Sequence, residues 1–224
     1  MESSRSPSSI VRPSLHEELV ERIQTLIVEG TLHAGTKIPE KELCLQFGVS
    51  RTPMREALKV LAADGMLSLE PNRGAWVRAI TVEELAEVFP VLAALEALAG
   101  DLACQNISDE EVDEVRTAHS EMLQHYQNRD RAAYFQANQR IHEVILNAAG
   151  NATLVAQHRS LSKRVQRARY LANMGEERWH DAVVEHEHIL QALEERQGSK
   201  LGDLLKQHLE NKFGTVQQWL IDQT

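Results

Sequence analysis

No apolar run in this 224-residue chain approaches the roughly 20 residues that a bilayer-spanning helix needs, so no membrane segment is expected. The Ser-rich opening MESSRSPSSI leads into no apolar stretch of signal-peptide length; residues 1–13, ending at Pro13, read as a disordered tail. Cysteine is scarce. Cys44 and Cys104 lie far apart on helical-looking segments, which argues against a disulfide framework and makes a reducing cytoplasm the expected compartment. Strand-like alternation is missing after Ile80, and no internal repeat of fixed period occurs, so a repeat array is not expected.

What is present suits a soluble globular protein of one large or two ordinary domains: 42% hydrophobic and 25% charged residues. The net charge of −9 is unevenly placed. Residues 1–79 carry 10 basic and 10 acidic side chains, whereas residues 80–224 carry 14 and 23. A neutral first segment can still bind phosphates where its cations share one face. The acidic remainder argues against a chain that coats nucleic acid along its length.

Punctuation divides the first segment into helix, helix, helix and hairpin. Ser14 with Glu17 forms a capping-box pattern, a stripe of Leu15, Leu19, Ile23, Leu26 and Ile27 follows, and Gly30 stops it. A short helix from Pro39 to Phe47 is closed by Gly48. Ser50 is placed to cap the next, with Pro53 in its first turn and Gly65 at its end. MLSLE and AWVRAI alternate and are joined by PNRG, a hairpin signal. That order predicts a winged helix-turn-helix over residues 14–79. Beyond it, Thr81 with Glu84 and Ser108 with Glu111 are two more capping boxes, and Asp130 opens a helix ended by Gly150. Helical patterns also cover 154–173, 179–196 and 200–220. Residues 80–224 therefore read as an all-α antiparallel bundle.

The third helix carries the chemistry of base reading. Arg51 and Arg55 are four apart and leave the helix on one side. Each guanidinium can grip guanine O6 and N7 through two hydrogen bonds, worth about 1–3 kcal/mol of discrimination. Ser50 and Thr52 at the helix N-terminus suit phosphate oxygens. Arg73 and Gly74 mark the wing, where glycine lets backbone approach the minor groove. The bland alternative makes Arg51 and Arg55 surface residues paired with Glu56 or Glu42; the concurrence of helix order, turn glycine and wing weighs against it. The stretch KELCLQFGVSRTPMREALKVLAADGMLSLEPNRGAWV, with VSRTPMREAL at its centre, resembles the DNA-binding domain of the GntR family of bacterial transcription regulators. The resemblance implies base contacts by Arg51 and Arg55 and a wing at Gly74. Lys41 stands where members often carry a DNA-contacting Arg, and a lysine is expected to touch phosphate, since it lacks the planar fork.

Eight of the ten histidines lie after residue 80. Helical spacing puts His142 on a stripe with Asn138, Ile145 and Ala149. His186 shares one with Trp179, Val183, Leu190 and Leu193, and His208 one with Leu201, Leu204, Leu205 and Leu209. Three inward imidazoles on three helices can meet at a metal ion, with Asn138 as a fourth oxygen or a supporting hydrogen bond; three satisfied core histidines are the competing account. NQRIHEVILNAAGN, EHEHILQAL and KQHLE resemble the FCD ligand-binding domain of the FadR subfamily, an antiparallel helical bundle. In one large branch an Asp and three His bind a divalent metal at the floor of the effector pocket. The resemblance implies Asn138, His142, His186 and His208 as that set, with Asn in place of Asp and zinc or nickel as the leading ions. Leu92 stands one turn before Glu96, where an effector-binding Arg is common; Arg164 and Arg167, in the run with Lys163 and Arg169, are the expected substitutes.

The sequence thus predicts a mainly α homodimeric regulator. It binds palindromic double-stranded DNA through the winged helix-turn-helix and a small carboxylic acid in a metal-containing bundle, without catalysis. A metalloenzyme built on the histidines is one alternative, although no HExxH motif occurs. A metal-free DNA-binding regulator is the other.

Overall fold

The computed structural model describes residues 14–171 and 175–222; the expected tail, residues 1–13, lies outside them. Nine α-helices and one two-stranded sheet occur among the described residues: α1 Leu15–Val28, α2 Glu40–Phe47, α3 Arg51–Ala63, β1 Leu67–Glu70, β2 Gly74–Val77, α4 Val82–Asn106, α5 Asp109–Gln127, α6 Arg131–Ala148, α7 Ala152–Leu171, α8 Glu176–Glu194 and α9 Gly198–Asp222. The chain forms two compact units, one running to Arg78 and one from Ala79, with Val28–Gly30 grouping with the second.

In the first unit Leu19 and Ile23 of α1, Leu43 of α2, and Met54, Leu58 and Leu61 of α3 are buried together with Leu67, Ala75 and Val77 of the hairpin. Leu15, expected on the α1 stripe, is instead exposed, because it is the first helical residue. The sheet is antiparallel, with Leu67 opposite Val77 and Glu70 opposite Gly74. Chain before α2 joins it: the Ile38 amide donates to the Ala75 carbonyl at 2.8 Å and the Val77 amide to the Thr36 carbonyl at 2.9 Å. Tertiary pairing thus adds a partner for β2 that local alternation did not reveal.

The second unit is a helical bundle. The Ser108–Glu111 capping box is complete, Thr81 accepts from the Glu84 amide and Asp130 from that of Ala133. Ser50, by contrast, occupies the N-cap position of α3 without a side-chain cap hydrogen bond. The last two helices begin earlier than the apolar spacing suggests. Glu176 and Glu177 fill the first turn of α8, where carboxylates are favoured by the helix dipole. Gly198 and Gly202 belong to α9 because they let it approach α4. A Cβ on Gly202 would lie 2.6 Å from the Ala97 carbonyl oxygen, and one on Gly100 of α4 would lie 3.0 Å from the Gly202 nitrogen. This close crossing positions two helices that supply the buried polar site. A core of Val115, Met122, Tyr134, Ile141, Trp179 and Leu201 packs beside it, with Trp179 edge-on to Tyr126 and Tyr134.

Candidate functional site

Two groups of functional side chains stand out, one in each unit. In the first, a groove of about 920 Å³ runs between α2, α3 and the hairpin, and Lys41, Arg51, Arg55, Arg73 and Gly74 all line it. Its lining includes six cations and three carboxylates, so the neutral domain does present local positive charge. Ser50 and Thr52 are exposed at the start of α3, outside that lining. Arg51 is exposed and makes no ion pair among the described residues. Arg55 lies 3.5 Å from Glu40, and Arg73 lies 2.8 Å from Glu70; the partners considered for Arg51 and Arg55, Glu56 and Glu42, are not the ones used. Lys37 and Lys59, which the sequence did not single out, also line the groove, as does Asn72 beside Arg73 in the wing. Asn72 sits at the hairpin tip with φ 61°, while Gly74 begins β2 with φ 97°. A Cβ on Gly74 would come within 3.1 Å of Lys37 Cε, so both backbone conformation and space favour glycine there.

In the bundle, His142 of α6, His186 of α8 and His208 of α9 converge. Their ring centroids are 4.5–5.3 Å apart, and one nitrogen from each lies within 4.8 Å of the other two. All three rings are buried. Two Nδ1 atoms are hydrogen-bonded, that of His186 to the Ala182 carbonyl at 2.7 Å and that of His208 to Glu185, while His142 Nδ1 lies 3.8 Å from Glu96 Oε2, beyond hydrogen-bond reach. A proton on each Nδ1 leaves the Nε2 lone pairs inward. His142 Nε2 and His208 Nε2 have no other partner, and His186 Nε2 meets Asn138 Nδ2 at 2.7 Å. Asn138 is fully buried with Oδ1 unpartnered; rotation of the amide would present that oxygen to the histidines. Three imidazole nitrogens and one amide oxygen fit a divalent cation such as zinc or nickel, with no carboxylate in the set.

Burial keeps these rings neutral. Desolvation, reinforced by Lys212, pushes the pKa of His208 well below the imidazole range and that of His186 down to about 3. Desolvation likewise lowers His142, against the opposing pull of Glu96. Neutral imidazole is the ligand form.

Around the rings lies a shell of charge that sequence reading did not identify. Glu96 of α4 bonds His158 Nε2 at 3.1 Å and lies 3.3 Å from Arg169 Nη2. Desolvation raises the Glu96 pKa, but Arg169, His158 and His142 outweigh it and hold the carboxyl well below its ordinary range. Glu185 takes Arg178 at 2.7 Å, Asn211 at 2.7 Å and His208. Lys212 is completely buried; desolvation, then Arg169, lowers its pKa well below the lysine range. A cavity of about 10 Å³ lies beside His142, Glu96, His158 and Leu205, room for about one water.

The arginines expected at the pocket require correction. Arg164 pairs with Glu84 at 2.8 Å near the start of α4 and remains partly exposed, and Arg167 is only half-buried. The arginine of that run that meets the buried site is Arg169, because it shares the inward face of α7 with Val165 and Ala168. The signal was available: Leu154, His158, Val165 and Arg169 recur at helical spacing, as do Leu92, Glu96, Ala99 and Ala103 on α4.

Residues 15–77 match the bacterial regulatory proteins of the gntR family, and residues 87–211 match the FCD domain. The probable D-xylose utilization operon transcriptional repressor of Paenarthrobacter nicotinovorans is 31% identical over 185 residues, covering 83% of this chain and 81% of that one. The Nta operon transcriptional regulator of Aminobacter aminovorans is 28% identical over 187 residues, covering 81% and 85%. The solved structure of E. coli McbR/YncC superposes with a TM-score of 0.84 at 20% identity, covering 93% of this chain and 100% of that one, a likeness of fold. Since one family match takes in the head, the other more than half the chain, and the repressor aligns across most of both, this chain belongs to the GntR family and is a DNA-binding transcription regulator with an FCD domain, not an enzyme.

Proposed function

We propose that this regulator is a homodimer that reads a palindromic operator and changes its grip when a small organic acid binds at a metal ion in the bundle. The observation that carries the reading is the convergence of three buried imidazoles, one nitrogen of each within 4.8 Å of the other two, with Nδ1 of His186 held by the Ala182 carbonyl and Nδ1 of His208 by Glu185. His142, His186, His208 and Asn138 would hold the metal, and Glu96 and Glu185 would orient the rings. When bound, the ion supplies a Lewis-acidic anchor for the acid's carboxylate.

In the head, Arg51 and Arg55 grip guanines, and Lys41, Ser50 and Thr52 hold phosphates. Arg73 and Gly74 bring the wing to the minor groove. Two heads related by a two-fold axis match two half-sites. Because the cavity beside His142 has room for about one water, an acid must displace core side chains to enter. That displacement gives effector binding a way to favour one arrangement of the bundle, and only such differential affinity shifts the equilibrium of the heads. The setting is the cytoplasm, where the buried thiols of Cys44 and Cys104 stay reduced. Among the described residues no helix is long and apolar enough to cross a membrane.

The test is a fluorescence titration of the protein against its own promoter fragment, with metal content measured on protein purified without added metal. Specific binding at moderate salt, about one zinc or nickel per chain, and loss of that metal in His142→Ala/His208→Ala are expected. Protein that shows no sequence preference, or that retains its metal in the double variant, would overturn the reading.

A further inference from the structure

Three basic side chains are buried in the second unit: Arg169, Arg178 and Lys212. Two have carboxylates. Arg169 Nη2 lies 3.3 Å from Glu96 and Arg178 Nη2 lies 2.7 Å from Glu185. Glu96 Oε1 is otherwise engaged with His158, and Glu185 with His208 and Asn211; Glu96 Oε2 alone of their oxygens has no hydrogen-bond partner. Lys212 has neither: its residue is 0% exposed and its Nζ has no hydrogen-bond partner.

Lys212 follows His208 by one turn of α9, so both side chains leave the helix on the same face. Other donors nearby are equally short of acceptors: Arg169 Nε and Arg178 Nε and Nη1 are buried and unpartnered. Buried donors left without acceptors are costly. A divalent ion on three imidazoles and an amide adds two further charges with no compensating carboxylate. A monocarboxylic acid offsets only one of these two charges, whereas a dicarboxylate offsets both and brings an acceptor for the Lys212 amine.

We propose that the ligand of this bundle is a dicarboxylate, with one carboxylate completing the coordination at His142, His186 and His208 and the other held by Lys212. This rests on the metal-anchored reading above and adds a specificity residue to it. The flanking guanidinium donors of Arg169 and Arg178 reinforce the second carboxylate, and selectivity between dicarboxylates follows from the distance between the histidines and the Lys212 amine.

The experiment is calorimetric titration of the zinc-loaded full chain with malonate, succinate and glutarate, against acetate and monomethyl succinate. One dicarboxylate is expected to bind about ten- to a hundredfold tighter than either monocarboxylate, since a charge-assisted buried contact is added. Lys212→Met is expected to abolish that margin while leaving one zinc per chain. Should this variant fail to fold, the wild-type comparison decides by itself. Equal affinities for all five acids, or a margin that survives in Lys212→Met, overturn the assignment of Lys212 while metal-anchored acid binding stands. A chain that holds no zinc and binds none of the acids overturns both.

Discussion

The head and the bundle both rely on positively charged side chains, yet they use them in opposite physical settings. Arg55 and Arg73 have side chains 65% and 70% exposed, each beside a glutamate; such surface pairs contribute at most about 1 kcal/mol and can be exchanged for phosphates or bases. Arg169 and Lys212 are essentially sealed, Arg169 beside Glu96 and Lys212 without a hydrogen-bond partner, where an unsatisfied donor is expensive and a matching acceptor correspondingly valuable. The lesson is that exposure suits reversible reading of a charged polymer, while burial suits selection of one small anion.

The largest effect that sharpens this contrast is expected in the head. Arg51→Ala or Arg55→Ala should each weaken operator binding about 5- to 150-fold while hardly affecting competitor DNA. Their melting temperatures should stay close to wild type, as surface substitutions change stability by about 0.5 kcal/mol or less. Fluorescence anisotropy and thermal melts check both; an equal loss on random DNA would reduce these arginines to phosphate contacts.

Acid should act through the bundle. His142, His186 and His208 have folded-state pKa values below the ordinary imidazole value, whereas unfolded imidazoles titrate near about 6.5. Between those limits the unfolded chain binds more protons, so stability falls as pH drops below about 6.5. The slope should reach about 1.4 kcal/mol per pH unit for each histidine in metal-free protein. Denaturant midpoints at a series of pH values measure it, and added zinc should steepen it because protons and metal compete for the same nitrogens. A flat profile from neutrality to pH 5 would mean that the imidazoles are solvated.

A smaller effect separates the support of the histidines from their contact with an ion. Glu185→Gln should reduce zinc affinity about 10- to 100-fold through the loosened His208 ring, without altering operator binding by metal-free protein. Competition with a chromophoric chelator reads the affinity. Smallest of all, Arg164→Gln should cost less than about 1 kcal/mol and leave acid binding unchanged, since Arg164 is engaged with Glu84. A large loss of acid binding in that variant would restore Arg164 to the pocket.

How far the molecule could be read from its sequence follows the same division. The helix–helix–helix–hairpin order was legible because caps, glycines and apolar spacing act locally. The stripes carrying His142, His186 and His208 were legible for the same reason. Arg169, Glu96 and Lys212 were missed because charged residues are usually solvent-facing, although each stands on an apolar stripe of its own helix. Arg164 and Arg167 were preferred because their three-residue spacing puts them on one face; the buried face of α7 is the one with Val165, Ala168 and Arg169. The strand-like pairing of residues 35–38 with β2 was invisible, since its hydrogen bonds join segments some forty residues apart.

The sequence by itself determined the elements and, within each helix, which side chains share a face, because 3.6 residues per turn is a local rule. Only the tertiary structure decided which inward faces meet. The approach of α9 to α4 through Gly100 and Gly202, together with the packing of α6, α7 and α8, brings together groups far apart in the chain. It joins three imidazoles and leaves one amine without a hydrogen-bond partner, an outcome that depends on the sum of non-local contacts and that no single helix encodes.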